Sequence, residues 1–554
     1  MKRVLSCLMM AVLFLSLNAP AAEAAYRDVP ESSALAGEVQ KAVDHGLMNG
    51  YTATRFGYSD SMTRAQFTAV LVRMMGWELI VPEEPSYEDV PVSHAWYSVI
   101  ETAAAHDVTG TRTQFRPDEP VTRGEMAELL VRALGLKHAA EMLDSSTISG
   151  SDGYSLLHGV TPFTDLPDRE EGYITVAYSI GMTKGTTPTT FSPNATATRA
   201  QAAAMLVRVY EKMNQETGFL HGFYAISSYS QLDLAEDMDA VSAGWSRMTW
   251  DGETALLATT SANGNEFYVP NGYQEVTDAV DCLHLNVFMN GQSLKDLLAS
   301  PEGRTQAMQQ IIQEVSLNYN AIGRSPYSGV TIDFEGLRRQ QKADFTAFLQ
   351  ELKTELDRLE KSLYVCVSPV LSSGYYGGGW YDGYDYAAIG HLADKVILMA
   401  YDYDPQDMSR FVGGSYYRTA ATAPIDQVYL GLKALTNEVY PEKVVLGVSC
   451  KSTAWQIDEN GVLLSGTPVY PTPETVAKRL AQPDTEYGWS QLYQQPYAIY
   501  TTEDGGRYFL WYQDDESVAT AMRAARLLGV TGVSVWRLGN IPDYEQWNWE
   551  TILS

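Results

Sequence analysis

Cysteine is nearly absent: the chain has four in 554 residues. Cys7 lies in the first apolar run, which leaves Cys282, Cys366 and Cys450 scattered through apolar stretches. An odd number of such thiols is no disulfide framework, and they read as small buried hydrophobes. Basic residues are also short, 39 Lys and Arg against 68 Asp and Glu, for a formal net charge of -29. That deficit argues against nucleic acid or an anionic membrane as the main partner. The eight histidines, His221 and His284 among them, form no cluster with Cys or Asp at metal-ligand spacing. They read as isolated packing residues, and no metal or cofactor is expected. Beyond the N-terminus no apolar run approaches a membrane span.

The N-terminus itself has Lys2-Arg3, an apolar run from Val4 to Leu17, then Ala22-Glu23-Ala24. This pattern reads as a secretory signal over residues 1–24, with a small-residue cleavage site. The expected product is exported and free of the membrane after cleavage. The remaining length suits a barrel with appendages.

Internal repetition fills residues 26–213. Tyr26-Arg-Asp-Val-Pro30, Tyr87-Glu-Asp-Val-Pro91 and Phe163-Thr-Asp-Leu-Pro167 open three units, 26–84, 85–145 and 160–213. Each unit runs through an amphipathic stretch to Thr63-Arg-Ala-Gln66, Thr122-Arg-Gly-Glu125 or Thr198-Arg-Ala-Gln201. A Ser/Gly-rich insertion, Ser145 to Ser155, precedes the third. Each Thr-x-x-Gln/Glu is a capping box: the hydroxyl takes the backbone N–H three residues on, and the Gln or Glu reaches back. The boxes leave Arg64, Arg123 and Arg199 unexplained, because a cation in the first helical turn opposes the dipole. An anion site built from guanidinium and helix N-terminus is the functional expectation; a purely structural helical repeat is the plain one.

The units resemble S-layer homology modules, whose signature opens with aromatic-x-Asp and ends in Thr-Arg-Ala-Glu. The resemblance implies docking to a secondary cell-wall polysaccharide, with Arg64, Arg123 and Arg199 lining pockets beside Asp28, Asp89 and Asp165. Two units have Gln where that pattern has Glu.

Ser328-Gly-Val-Thr-Ile-Asp-Phe-Glu-Gly-Leu337 reads as a strand. Alternation puts Thr331, Asp333 and Glu335 on one face, with Ile332 and Phe334 on the other. Two acids on one face of a buried strand are costly without partners or a task. Residues 217–554 alternate short apolar runs with helical patterns, which predicts an α/β fold, a (β/α)8 TIM barrel with its chemistry at the C-terminal strand ends. The eight strands are expected at Gly222–Ser227, Ala240–Trp245, Cys282–Met289, Gly329–Glu335, Leu363–Ser368, Lys395–Tyr401, Val444–Ser449 and Gly532–Leu538. Helices are expected over Lys342–Lys361 and Ser517–Leu528.

The acidic strand resembles the Asp-Gly-x-Asp-x-Asp-x-Glu pattern of glycoside hydrolase family 18, with Ser328 and Thr331 replacing the first two acids. Met399-Ala-Tyr-Asp402, Val535-Trp-Arg-Leu-Gly539 and Gly222-Phe-Tyr-Ala225 resemble further strand ends of that family. The resemblance implies that Glu335 is the general acid/base, that Asp333 orients the substrate's acetamido group, and that Tyr401 donates to its carbonyl. It places Trp536 as the floor of the reacting sugar, with Asp402, Tyr224, Met399 and Thr331 around it. The family's chemistry is substrate-assisted, the acetamido oxygen itself attacking the anomeric carbon, so the configuration is retained.

Thr331 is able to hydrogen-bond but not to titrate, so reduced but real activity is expected. Ser328 falls on the opposite face and is expected only to pack. The substrate implied is a β-1,4-linked N-acetylglucosamine glycan, peptidoglycan or chitin. Ile332-Asp-Phe-Glu335 resembles the spore-cortex and wall hydrolases and favours peptidoglycan. Two other readings stand beside this one: a lectin-like barrel, against which Glu335 speaks, and a structural S-layer-associated protein.

Overall fold

The computed structural model describes residues 26–110, 113–143, 161–262, 266–317, 325–370 and 381–554. The expected signal segment and the Ser145–Ser155 insertion lie outside the described residues. The described chain falls into two compact units. One comprises residues 26–102, 113–123 and 194–208, and the other comprises the rest. The divide therefore runs through the repeats.

Among the described residues of the repeats there are seven helices: α1 (Ala36–Asp44), α2 (Arg64–Met74), α3 (Tyr97–Ala105), α4 (Arg123–Ala133), α5 (Lys137–Met142), α6 (Glu171–Ser179) and α7 (Arg199–Met213). Two of the expected capping boxes are formed, at Thr63 and Thr198. The Gln66 N–H donates to Thr63 Oγ1 (3.2 Å), and the Thr63 N–H to Gln66 Oε1 (3.1 Å). The same pair of bonds joins Gln201 and Thr198. Phe67, Val70, Leu71 and Met74 form the buried face of α2.

The repeats do not simply stack. Each capped helix donates its first N–H to a carbonyl of another repeat: Arg64 to Glu119, Arg123 to Ala195 and Arg199 to Asp60. The third repeat thus returns to the first, and the three close into a ring. Single β-bridges at Thr63–Pro120, Thr122–Thr196 and Ser61–Thr198 mark the three seams.

Downstream, eight parallel strands close a barrel: β1 (Phe219–Tyr224), β2 (Ala240–Trp250), β4 (Leu283–Met289), β5 (Gly329–Phe334), β6 (Ser362–Val367), β7 (Lys395–Leu398), β8 (Val444–Ser449) and β13 (Gly532–Trp536), with β13 pairing back to β1. A short β3 (Ala255–Ala258) runs antiparallel to β2. The expected helices are present at Lys342–Arg358 and Asp515–Leu527.

One element was not foreseen. Between β8 and β13 the chain makes a four-stranded antiparallel sheet in the order β10-β11-β12-β9, from β9 (Thr453–Ile457), β10 (Glu486–Ser490), β11 (Gln495–Thr501) and β12 (Arg507–Trp511). Its core holds Trp455, Phe509 and Trp511, joined by Met408 and Tyr417 from the segment after β7.

The packing of β5 determines how the site is presented. Its outward Phe334 lies against Phe345 and Phe348 of the helix Lys342–Arg358, with ring centroids 6.0 and 5.4 Å apart. Burying a side chain of this size is worth about 1.5–3 kcal/mol. With Ile332 and Phe334 fixed outward, alternation turns Thr331 and Asp333 into the barrel.

Candidate active site

The inward side chains of the barrel form two polar levels. The lower level is a continuous hydrogen-bonded chain across six strands. Ser534 meets His221 Nδ1 (2.7 Å), and His221 Nε2 meets Ser242 (2.7 Å). Ser242 meets Thr331 (2.6 Å), Thr331 meets His284 Nδ1 (3.2 Å), and His284 Nε2 meets Ser362 (2.8 Å). Burial depresses both histidines to about 3, so they remain neutral. A neutral imidazole offers one donor and one acceptor, which suits a chain of hydroxyls. The two histidines are therefore not isolated. Thr331, expected beside substrate, is instead fully buried in this network. Gly329 makes room for it, since a Cβ there would fall 2.6 Å from His284 Cε1.

Asp333 lies one inward position above Thr331. It is buried and hydrogen-bonded to the side chains of Asn286 on β4 and Cys366 on β6. Its Oδ1 has no partner. Burial, then the charge of Glu335, pushes the Asp333 carboxyl well above its ordinary range. Glu335 follows β5, half-buried, its N–H donating to Met289 O (2.9 Å). Its pKa is also raised, by burial and then by the nearby charge of Asp402. Two neighbouring acids that are both hard to ionise suit proton donation near neutral pH.

Tyr401 interacts electrostatically with Cys366, Asp333, Asp402 and Glu335, and burial pushes its hydroxyl pKa well up. Its ring occupies space left by Gly447 on β8, where a Cβ would sit 2.9 Å from Tyr401 Cε1. Asp402 turns out of β7 at φ +59°, its side chain 43% exposed. Trp536 ends β13, half-buried edge-on to Phe223 at 5.0 Å. Tyr224 ends β1 against Trp245, its hydroxyl pushed up to about 12 by burial. Met399 packs into the apolar cluster of Phe223, Tyr364 and Ile397. Ser328 stays in the ladder, its N–H donating to Leu283 O.

Sequence reasoning missed four contributors. Asn286 and Cys366 hold Asp333; nothing local marks them, because only register brings their strands to β5. Lys451, just past β8, pairs with Asp402 (3.4 Å) and with the fully buried Asp404 (3.3 Å), which also accepts from Thr453 Oγ1 (2.9 Å). Burial alone would depress Lys451, but the two carboxylates reverse that and raise it.

The repeat residues are placed differently from expectation. Arg64, Arg123 and Arg199 are 3, 7 and 6% exposed. Arg64 Nε donates to Phe115 O (2.9 Å); Arg199 donates to Phe56 O (3.0 Å) and Asn49 O (2.8 Å), with its guanidinium 4.3 Å from the Tyr51 ring. Asp28 accepts from the backbone N–H groups of Phe56, Gly57 and Tyr58, Asp89 from those of Phe115 and Arg116, and Asp165 from those of Phe191 and Ser192. These contacts tie the Arg64 and Arg199 side chains to backbone carbonyls of other repeats and make each aspartate a turn cap.

Comparison with known proteins agrees with this architecture. The sequence profile of glycosyl hydrolases family 18 matches residues 256–540, just over half of the chain. The S-layer homology domain matches three times, at 25–68, 86–127 and 162–203. The cortical fragment-lytic enzyme of Bacillus subtilis is 25% identical over 231 residues, 42% of this chain and 50% of that one. Its Bacillus anthracis counterpart is 24% identical over 222 residues, 39% of this chain and 47% of that one. The chain thus spans about half the length of the curated relatives it matches. Among solved structures, the Bacillus megaterium spore cortex-lytic enzyme SleL aligns over 61% of this chain and 74% of its own, with 20% identity and a TM-score of 0.47. No helix among the described residues is long and apolar enough to cross a membrane. The chain belongs to glycosyl hydrolases family 18 and carries three S-layer homology domains ahead of its barrel.

Proposed function

We propose that this protein is a wall-anchored hydrolase of β-1,4-linked N-acetylglucosamine glycans, acting on peptidoglycan by a substrate-assisted, retaining mechanism. The observation that carries the reading is the pair Asp333 and Glu335, both with raised pKa values, beside Tyr401 at the C-terminal end of the barrel. Glu335 protonates the leaving oxygen. Asp333, held by Asn286 and Cys366, presents its unpartnered Oδ1 to the acetamido N–H while the acetamido oxygen attacks the anomeric carbon. Tyr401 donates to that oxygen and fixes its direction. Trp536 floors the sugar and excludes water, and Asp402 binds its hydroxyls. Positive charge grows on the cyclic intermediate only as the bond breaks, just as Glu335 gives up its proton and becomes anionic, so the site favours the transition state over the bound substrate. Export through residues 1–24 and docking of the three modules to a secondary cell-wall polysaccharide complete the proposal. Peptidoglycan is preferred over chitin because of the likeness to cortical fragment-lytic enzymes.

The test is side-by-side digestion of purified peptidoglycan and chitin oligomers by the wild type and by Glu335→Gln. Expected is release of products with retained β configuration, lost by about 10²–10⁴-fold in the variant. An inverted product, or wild-type turnover in Glu335→Gln, refutes the mechanism.

A further inference from the structure

Arg537 stands directly after Trp536, where β13 reaches the mouth of the barrel. Among the described residues its side-chain hydrogen bonds run through one nitrogen: Nη1 donates to Ser227 Oγ (3.0 Å), Ser228 Oγ (3.3 Å) and Leu538 O (3.3 Å). Among the described residues no carboxylate pairs with it, and Nε and Nη2 donate to nothing. The segments of the barrel outside the description, 263–265, 318–324 and 371–380, contain no Asp or Glu.

A half-buried guanidinium without a counter-ion is unfavourable, because partial burial removes water from a charge that nothing repays. Shortage of acid does not explain it in a chain with 68 acidic against 39 basic residues. Two other cations at this end of the barrel are paired, Lys451 with Asp402 and Asp404, and Arg339 with Asp382 (3.5 Å). What Arg537 leaves open is the Nε–Nη2 edge, the planar fork that matches a carboxylate with two parallel hydrogen bonds. The anchors at Ser227 and Ser228 fix Nη1 to the 3-10 helical segment Ile226–Asp237 after β1 and leave that edge free.

Strand order sets what this edge can meet. β13 and β5 are separated by three strands whichever way the barrel is followed, so Arg537 lies across the mouth from Glu335. A glycan with its scissile bond at Glu335 and a sugar on Trp536 brings a neighbouring residue over Arg537. We propose that Arg537 is a specificity-determining residue that binds a carboxylate on a sugar next to the reacting N-acetylglucosamine, so that the site selects muramyl glycans over neutral ones. The inference rests on the hydrolase reading above. The carboxylate belongs either to the lactyl ether of the muramyl residue or to its attached stem peptide.

The experiment compares the full chain with Arg537→Gln and Arg537→Lys on four substrates. These are the N-acetylglucosamine tetramer, a muramyl tetramer with free lactyl carboxylates, the same tetramer with each carboxyl as a methylamide, and the stem-bearing glycan. The readout is the ratio of kcat/KM on acidic over neutral substrate. Arg537→Gln is expected to lower the ratio by about 10- to 100-fold, the range for charge-assisted hydrogen bonds, mainly through KM. Arg537→Lys recovers part of it, and added salt lowers it in the wild type. The methylamide behaves as neutral. A stem-bearing glycan that behaves like the methylamide identifies the lactyl carboxylate as the ligand; one that keeps the Arg537 dependence identifies the stem.

A ratio unchanged in Arg537→Gln for both the free-acid and the stem-bearing glycan, or a wild type that cleaves neither of them better than the methylamide, overturns the proposal. Absence of cleavage of all four substrates by the wild type overturns the hydrolase reading instead. Affinities of the acidic and neutral tetramers for Glu335→Gln, with and without Arg537→Gln, then decide the fate of Arg537 without turnover. Equal affinities reject it.

Discussion

Gly447 on β8 faces the candidate nucleophile-orienting tyrosine, and adding one methyl group there is a sensitive test of how the site is held. A Cβ at this position falls 2.6 Å from the Leu398 carbonyl oxygen and 2.9 Å from Cε1 of Tyr401. Carbon atoms pack at about 3.5–4.0 Å, so the ring must retreat by roughly 0.6 Å. The oxygen cannot give way cheaply, because Leu398 is fixed in the parallel ladder opposite Leu446. A misplacement of about 1 Å can cost about 10²-fold in rate, so Gly447→Ala is expected to lose roughly 10-fold in kcat. Overpacking should also lower stability by about 1–3 kcal/mol. The assay is release of reducing ends from an N-acetylglucosamine oligomer, with thermal unfolding measured in parallel. Gly244→Ala is the control, since its Cβ meets only Tyr224 O at 3.4 Å. If the loss runs through the tyrosine, Gly447→Ala added to Tyr401→Phe costs little more than Tyr401→Phe alone. Full activity in Gly447→Ala, or additive losses in the double variant, refutes the reasoning.

Two further predictions concern charge and the repeats. Because Asp402 helps to raise Glu335, Asp402→Asn removes a negative neighbour and lowers the Glu335 pKa; the alkaline limb of kcat/KM should move to lower pH, and an unmoved or raised limb disproves the coupling. Arg199→Ala leaves the carbonyls of Phe56 and Asn49 without their donor, at about 1–3 kcal/mol each. Amide exchange should therefore speed up around residues 49–60 and in the first turn of α7, and unchanged protection there refutes the seam.

How much of this was legible in the sequence depended on how local the determining contacts are. Asp333 and Glu335 were readable because strand alternation is a two-residue rule and Phe334 has an adjacent helix to bury it. All eight barrel strands were anticipated, but their ends shifted: β7 stops at Leu398, before the turn to Asp402, and β1 begins at Phe219. The antiparallel sheet was overlooked although Asp504-Gly505-Gly506 between two aromatic-rich runs is a hairpin signal. It follows a different grammar from the βα alternation around it. His221 and His284 were misjudged because their hydroxyl partners come from other strands and meet only when the barrel closes. The structural bonds of Arg199 were not legible because its acceptors, Phe56 and Asn49, lie in another repeat altogether.

Arg199 and its acceptor Phe56 are 143 positions apart, and that separation has a consequence in time. A chain made N-terminus first exposes the first repeat long before the helix that completes it exists. At about 5–20 residues per second, the carbonyls of Phe56 and Asn49 wait roughly 7–30 s for their guanidinium. During that interval the first repeat has an open edge. The edge of the first repeat is thus completed only by a segment made much later in the chain.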